Sequence, residues 1–229
     1  MNYDIQQAYG GAIASPQERN KVLRNTYWLL SLSMVPTVLG AWIGVATGIA
    51  AAMSPMVSLV VFLAGAFGFM FAIEKTKNSA AGVPILLGFT FFMGLMLSRM
   101  VGMVLGLANG AELIMMAFAG TAVIFFGMAT MSSVIKRDLS GMGKWLFIGA
   151  IMLLVAGIAN VFLQSPALMI TLCVLAIGIF SAFILHDLKR VQDGYETNYI
   201  TATLGVYLSL YNVFQSLLAL FGIFGGRDE

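Results

Sequence analysis

A chain of 229 residues that is 60% hydrophobic and 10% charged, with a mean hydropathy of +0.93, cannot cover a water-facing surface. A soluble domain of this size carries about 25% charged residues, so lipid is the solvent that this composition fits. The net charge of +2 gives no basic face for nucleic acid, and a lone cysteine, Cys173, excludes an internal disulfide framework.

In chain order, residues 1–25 come first, a polar stretch around Gly10, Gly11 and Pro16 with no sustained apolar stripe. They are expected to form a flexible tail on the cytoplasmic side. Seven apolar runs follow, over 26–52, 56–73, 83–106, 112–135, 145–164, 167–186 and 201–224, within a membrane domain spanning 26–226. At ~1.5 Å per residue, each is long enough as a helix to cross a hydrocarbon core of ~30 Å. The runs are continuous, without the alternation of a membrane barrel. The first run is too long, and starts too late, for a signal peptide. The expected fold is an all-α membrane protein of seven transmembrane helices.

Lysine and arginine set the expected orientation. Arg19, Lys21 and Arg24 precede the first run; Lys75 and Lys77 follow the second; Lys136, Arg137 and Lys144 follow the fourth; Lys189 and Arg190 follow the sixth. The links near 53–55, 107–111 and 165–166 hold none. By the positive-inside rule the N-terminus is cytoplasmic and the C-terminus periplasmic. Pro55 and Pro166 fall in the outer turns, where a missing N–H costs little.

Gly40, Gly44 and Gly48 recur at four-residue spacing in the first run, as do Gly102, Gly106 and Gly110 at the end of the third. Such spacing lets helices approach closely in lipid. The 16 methionines are expected as adaptable core filler, since no histidine cluster accompanies them. Cys173, within an apolar run, is expected as a small buried hydrophobe.

Signatures of catalysis are missing from the sequence. There is no Gly-Lys-Ser/Thr phosphate loop, no H-E-x-x-H and no G-x-S-x-G. One histidine, His186, cannot build a histidine metal site, and next to the interface it is expected to be readily solvated. Thr121, in "GTAVIFFG", is expected to bond back to its own helix. No enzyme, cofactor or metal function is expected.

What remains is an intramembrane polar set. Arg99 lies within the third run, Glu112 opens the fourth, and Asp187 closes the sixth in "SAFILHDLKR". The seventh run carries Thr201, Thr203, Ser209, Asn212, Gln215 and Ser216, more than a lipid-facing helix tolerates. That suggests a helix surrounded by the other six. Ser209, Asn212 and Ser216 share one face, which serves either as packing glue or as an ion path. Asp187 could pair with Arg190 at the surface, or face the bundle interior and hydrogen-bond to the seventh helix.

"KVLRNTYWLLSLS" at 21–33, "FAGTAVIFF" at 118–126, "GIANVFLQSPAL" at 157–168 and "ETNYITATLGVYLSLYNVFQSLL" at 196–218 closely resemble the BAX-inhibitor (transmembrane BAX inhibitor motif) family. Within it they resemble the bacterial YccA-type proteins, modulators of the membrane-anchored protease FtsH. The resemblance implies seven helices with the seventh central. It also implies an inner-membrane regulator that occupies the protease as a stable competing substrate. Family members with a proton-sensitive calcium leak carry paired acids late in helix six and in helix seven. Asp187 matches the first of these, and Ser209 stands at the second. "SR" at Ser98–Arg99 replaces a small-Pro pair of helix three. These departures favour the protease modulator, and the alternative is a pH-sensitive calcium or proton leak centred on Asp187, Ser209 and Asn212.

Overall fold

The computed structural model describes residues 15–225. Seven helices follow one another: α1 (Pro16–Thr47), α2 (Pro55–Thr76), α3 (Gly82–Leu105), α4 (Gly110–Val134), α5 (Met142–Leu163), α6 (Pro166–Asp193) and α7 (Tyr199–Gly225). All seven are long and apolar enough to span a membrane, and the described residues contain no strand.

Three helices start on the same device, a serine cap followed by proline. Ser15, Ser54 and Ser165 accept from the backbone N–H groups of Glu18, Val57 and Leu168, while Pro16, Pro55 and Pro166 occupy a first-turn position that needs no donor. At α1 the Glu18 carboxylate also accepts from Ser15 N–H at 2.8 Å, closing a reciprocal capping box. The tail expected over 1–25 is therefore corrected: 16–25 are the first turns of α1, because capping starts this helix ahead of its apolar run. Residues 1–14 lie outside the described residues. At the other end, Gly48 stops α1 in the left-handed region at φ 67°.

The tightest seam joins α1 to α3. A Cβ on Gly40 would run into the Phe91 carbonyl oxygen, one on Gly44 into the Ser98 side chain, and one on Gly94 into the Thr37 carbonyl oxygen. The two backbones thus touch at Gly40 and Gly94, and Gly44 makes room for the Ser98 side chain, as small-residue packing in lipid requires. The other spaced glycines do different work. Gly48 and Gly106 cap helix ends, and Gly110 opens α4 against the Val104 carbonyl.

Helix α7 is central. It packs on α1, α2, α3, α4 and α6, and its fully buried residues include Val206, Tyr207, Val213 and Leu218. The expectation that all six other helices surround it is corrected in one respect. Helix α5 lies outside, packed on α6, and none of its residues is buried. Its run is apolar all round, so lipid can cover the faces that protein does not.

Candidate functional site

Asp187 sits on α6 facing α7, next to His186, which faces α5. Helix α6 continues to Asp193 and is closed by Gly194 at φ 82°, so Asp187 lies more than a turn inside the helix. The unfavourable macrodipole contact of a C-terminal acid is therefore small, since that field fades beyond the last turn. Its carboxylate is mostly enclosed, with 18% of the side chain exposed. Oδ1 lies 3.1 Å from Nδ1 of His186, and Oδ2 lies over Gly205 of α7, where an added Cβ would stand 2.7 Å away. Asp187 faces α7 across a glycine, with no hydrogen bond to that helix among the described residues, and its side-chain partner is His186 rather than Arg190. The basic ends of α6 find other uses: Lys189 pairs with Asp193 at 2.6 Å.

His186 is not at a solvated edge. It is 6% exposed, and its Nε2 lies against Gly143 in the first turn of α5, 2.8 Å from where a Cβ would be. Two glycines, Gly143 and Gly205, thus leave room for an adjacent imidazole and carboxylate. The two side chains form one hydrogen-bonded pair. It has no second acid opposite, because the sequence of α7 contains neither aspartate nor glutamate.

The polar face of α7 turns largely to its own backbone. Ser209 Oγ donates to the Gly205 carbonyl at 3.0 Å, and Asn212 Nδ2 donates to the Leu208 carbonyl at 2.8 Å. The ties to neighbouring helices come from Thr203 and from two tyrosines that the sequence analysis did not single out. Tyr207 OH meets Thr37 Oγ1 of α1 at 2.9 Å and donates to the Thr90 carbonyl of α3, while Tyr211 OH donates to the Met93 carbonyl. Thr203 Oγ1 reaches the Thr26 carbonyl of α1 at 3.4 Å. The signal was "VYLSLYN", two tyrosines four apart in an apolar run, whose hydroxyls need partners when buried.

Arg99 lies apart from this site. Its Nη1 donates to the Met53 carbonyl in the α1–α2 link at 3.2 Å, so the long side chain carries its charge out to the end of the bundle. Glu112 is exposed in the first turn of α4, where a carboxylate complements the helix dipole. Thr121 donates to the Ala117 carbonyl at 2.7 Å and Cys173 is buried, both as expected.

The basic end of the bundle is fastened by polar side chains. Arg19 of α1 donates to the Gln192 carbonyl of α6 at 3.0 Å, and Gln192 Nε2 donates to Ser132 Oγ of α4 at 2.9 Å. Asn198, ahead of α7, donates to the Lys77 carbonyl at 3.1 Å. In the α4–α5 link, the Ser140 N–H and hydroxyl hold the exposed Asp138 carboxyl below its ordinary range. Among the described residues, no group of three or more His, Cys, Asp or Glu could hold a metal ion.

Residues 19–226 match the family model described as Inhibitor of apoptosis-promoting Bax1. The Modulator of FtsH protease YccA of Escherichia coli K12 is 38% identical over 209 residues, which cover 91% of this chain and 92% of that protein. A membrane protein of Vibrio cholerae is 37% identical over 211 residues, covering 92% and 93% of the two chains. A Pseudomonas aeruginosa protein is 36% identical over 223 residues, or 97% and 98%. A seven-helix membrane bundle matched over nearly its whole length in this way belongs to the BAX-inhibitor family.

Proposed function

We propose that this inner-membrane protein binds and modulates a membrane-anchored ATP-dependent protease of the FtsH type, with no catalysis of its own. The observation that carries the proposal is the end-to-end similarity to YccA of Escherichia coli, whose name states that activity. The mechanism is competition. A bundle whose first helix is locked to α3 through backbone contacts is slow to pull apart, and while it occupies the protease other substrates wait. In this reading the N-terminus and the basic links face the cytoplasm, where an ATP-driven protease works, and the C-terminus faces the periplasm.

Co-purification with tagged protease from the membranes of cells that make both tests the contact. The decay rate of a second membrane substrate tests the modulation. The expected result is a stable complex and slower decay of the second substrate as this protein is raised. No complex and unchanged decay would overturn the proposal. A second reading is supported by the enclosed carboxylate of Asp187 against Gly205, namely a calcium or proton leak through the bundle. Purified protein in liposomes separates the two, because a leak needs no protease.

A further inference from the structure

The bundle has a lateral groove of about 620 Å³, lined by Asn25, Trp28, Leu29, Ser31 and Leu32 of α1 and by Tyr199 at the start of α7. It opens sideways, toward the lipid that surrounds a membrane bundle. At 100° per residue, Lys21, Arg24, Asn25, Trp28 and Leu32 fall on one face of α1. Lys21 and Arg24 are exposed, and neither has an ion-pair or hydrogen-bond partner among the described residues. The same face continues as an exposed apolar stripe through Val35, Leu39 and Trp42.

Depth along the membrane assigns each part a role. Counting the ~20 residues of a span back from Thr47, where α1 ends, puts Trp28 at the water–hydrocarbon boundary. Indole rings favour that level, and Trp28 is 74% exposed there. Lys21 and Arg24 then lie one to two turns beyond it, among the phosphates. The groove runs from Asn25, just outside that level, to Leu32 inside it, and the apolar stripe continues from there along the hydrocarbon, as an acyl chain does. We propose that this face is a binding site for one anionic phospholipid, its phosphate held by Lys21 and Arg24 and an acyl chain laid along the groove and the stripe. Trp28 stands at the junction of headgroup and chain. A zwitterionic lipid satisfies only the apolar half, and a soluble phosphate only the charged half.

Native mass spectrometry of the full chain, released from detergent in the presence of phosphatidylglycerol or phosphatidylcholine, reads lipid retention directly. The wild type is expected to retain one phosphatidylglycerol in preference to phosphatidylcholine. Each basic residue near an anionic surface is worth roughly fivefold in affinity, so the Lys21→Gln, Arg24→Gln pair should weaken phosphatidylglycerol retention about thirtyfold. The Lys136→Gln, Arg137→Gln pair, which removes equal charge from the α4–α5 link, should change it less than about twofold. Leu32→Trp puts a bulky ring where the acyl chain would lie, leaves both charges in place and should also release the lipid. Equal retention of the two lipids, equal loss from the two charge pairs, or full retention by Leu32→Trp would each overturn the site. Displacement by millimolar inorganic phosphate would overturn it in favour of a free-anion site.

Discussion

Replacing Gly40 with alanine puts one methyl group between two backbones. The new Cβ would fall on the Phe91 carbonyl oxygen, with Leu95 N at 3.0 Å and the Phe91 carbonyl carbon at 3.1 Å. All three are main-chain atoms of α3, so no side chain can swing aside and the helices must part. The facing contact, Gly94 beneath the Thr37 carbonyl, opens with it, and Thr37 is also the partner of Tyr207. Overpacking of this kind costs ~1–3 kcal/mol. Alanine recovers at most ~1 kcal/mol over glycine in helix propensity. Because the clash is with main-chain atoms that cannot swing aside, the upper end of the steric range applies, and Gly40→Ala should destabilise by up to roughly 2 kcal/mol on the same two scales. The control is Gly68→Ala in α2, where an added Cβ meets nothing within 4 Å and only the propensity gain remains. Unfolding of the detergent-purified proteins by added SDS, followed by circular dichroism, should place Gly40→Ala below wild type and Gly68→Ala at or above it. Gly40→Ala with Gly94→Ala should lose less than the sum of the two, because helices already parted are not parted again. A Gly40→Ala protein as stable as Gly68→Ala would refute the close seam.

Three further outcomes follow from the site and its orientation. Liposomes carrying wild type or Asp187→Asn are expected to hold calcium and proton gradients equally, since α7 presents Ser209 and Asn212 bonded to their own backbone rather than a second acid; a pH-dependent leak lost on Asp187→Asn would establish the ion path instead. Deleting residues 2–14, while sparing the Ser15–Glu18 cap that starts α1, should leave insertion intact and make the protein long-lived in cells containing the protease; turnover at the full-length rate would exclude the N-terminal segment as the handle. Reporter fusions at residues 2 and 229 should report cytoplasm and periplasm respectively, and two cytoplasmic ends would contradict seven full crossings.

The helices were legible in the sequence because lipid demands unbroken apolar runs and leaves little else to read. Where a helix outran its apolar run, hydropathy missed it. The start of α1 was written instead in "SPQE", a serine cap, a first-turn proline and the glutamate that answers the cap. The end of α6 was likewise deferred from Asp187 to the glycine at 194, which turned an apparent terminal acid into an interior one. The placement of Asp187 depends on Gly143 and Gly205, on two other helices, and a residue's absence of side chain gives no hint of what fills the space. Glycine spacing in the first run did indicate a close approach, but not that its partner was α3. Polar residues on α7 were visible as a stripe. That Ser209 and Asn212 satisfy the helix they stand on, while Tyr207, Tyr211 and Thr203 tie the bundle, is settled only by three-dimensional neighbours.

The position of the glycine seam in the chain also has a mechanical side. A motor pulling from the N-terminus would meet α1 first, and α1 is the helix held by backbone-to-backbone contact with α3 and by Arg19 at its root. The peripheral α5, with nothing buried, comes only after four others. Resistance to extraction is thus front-loaded. The greatest force would be needed at the first step, before any part of the chain had left the bilayer, and a pull that slipped there would return the bundle intact.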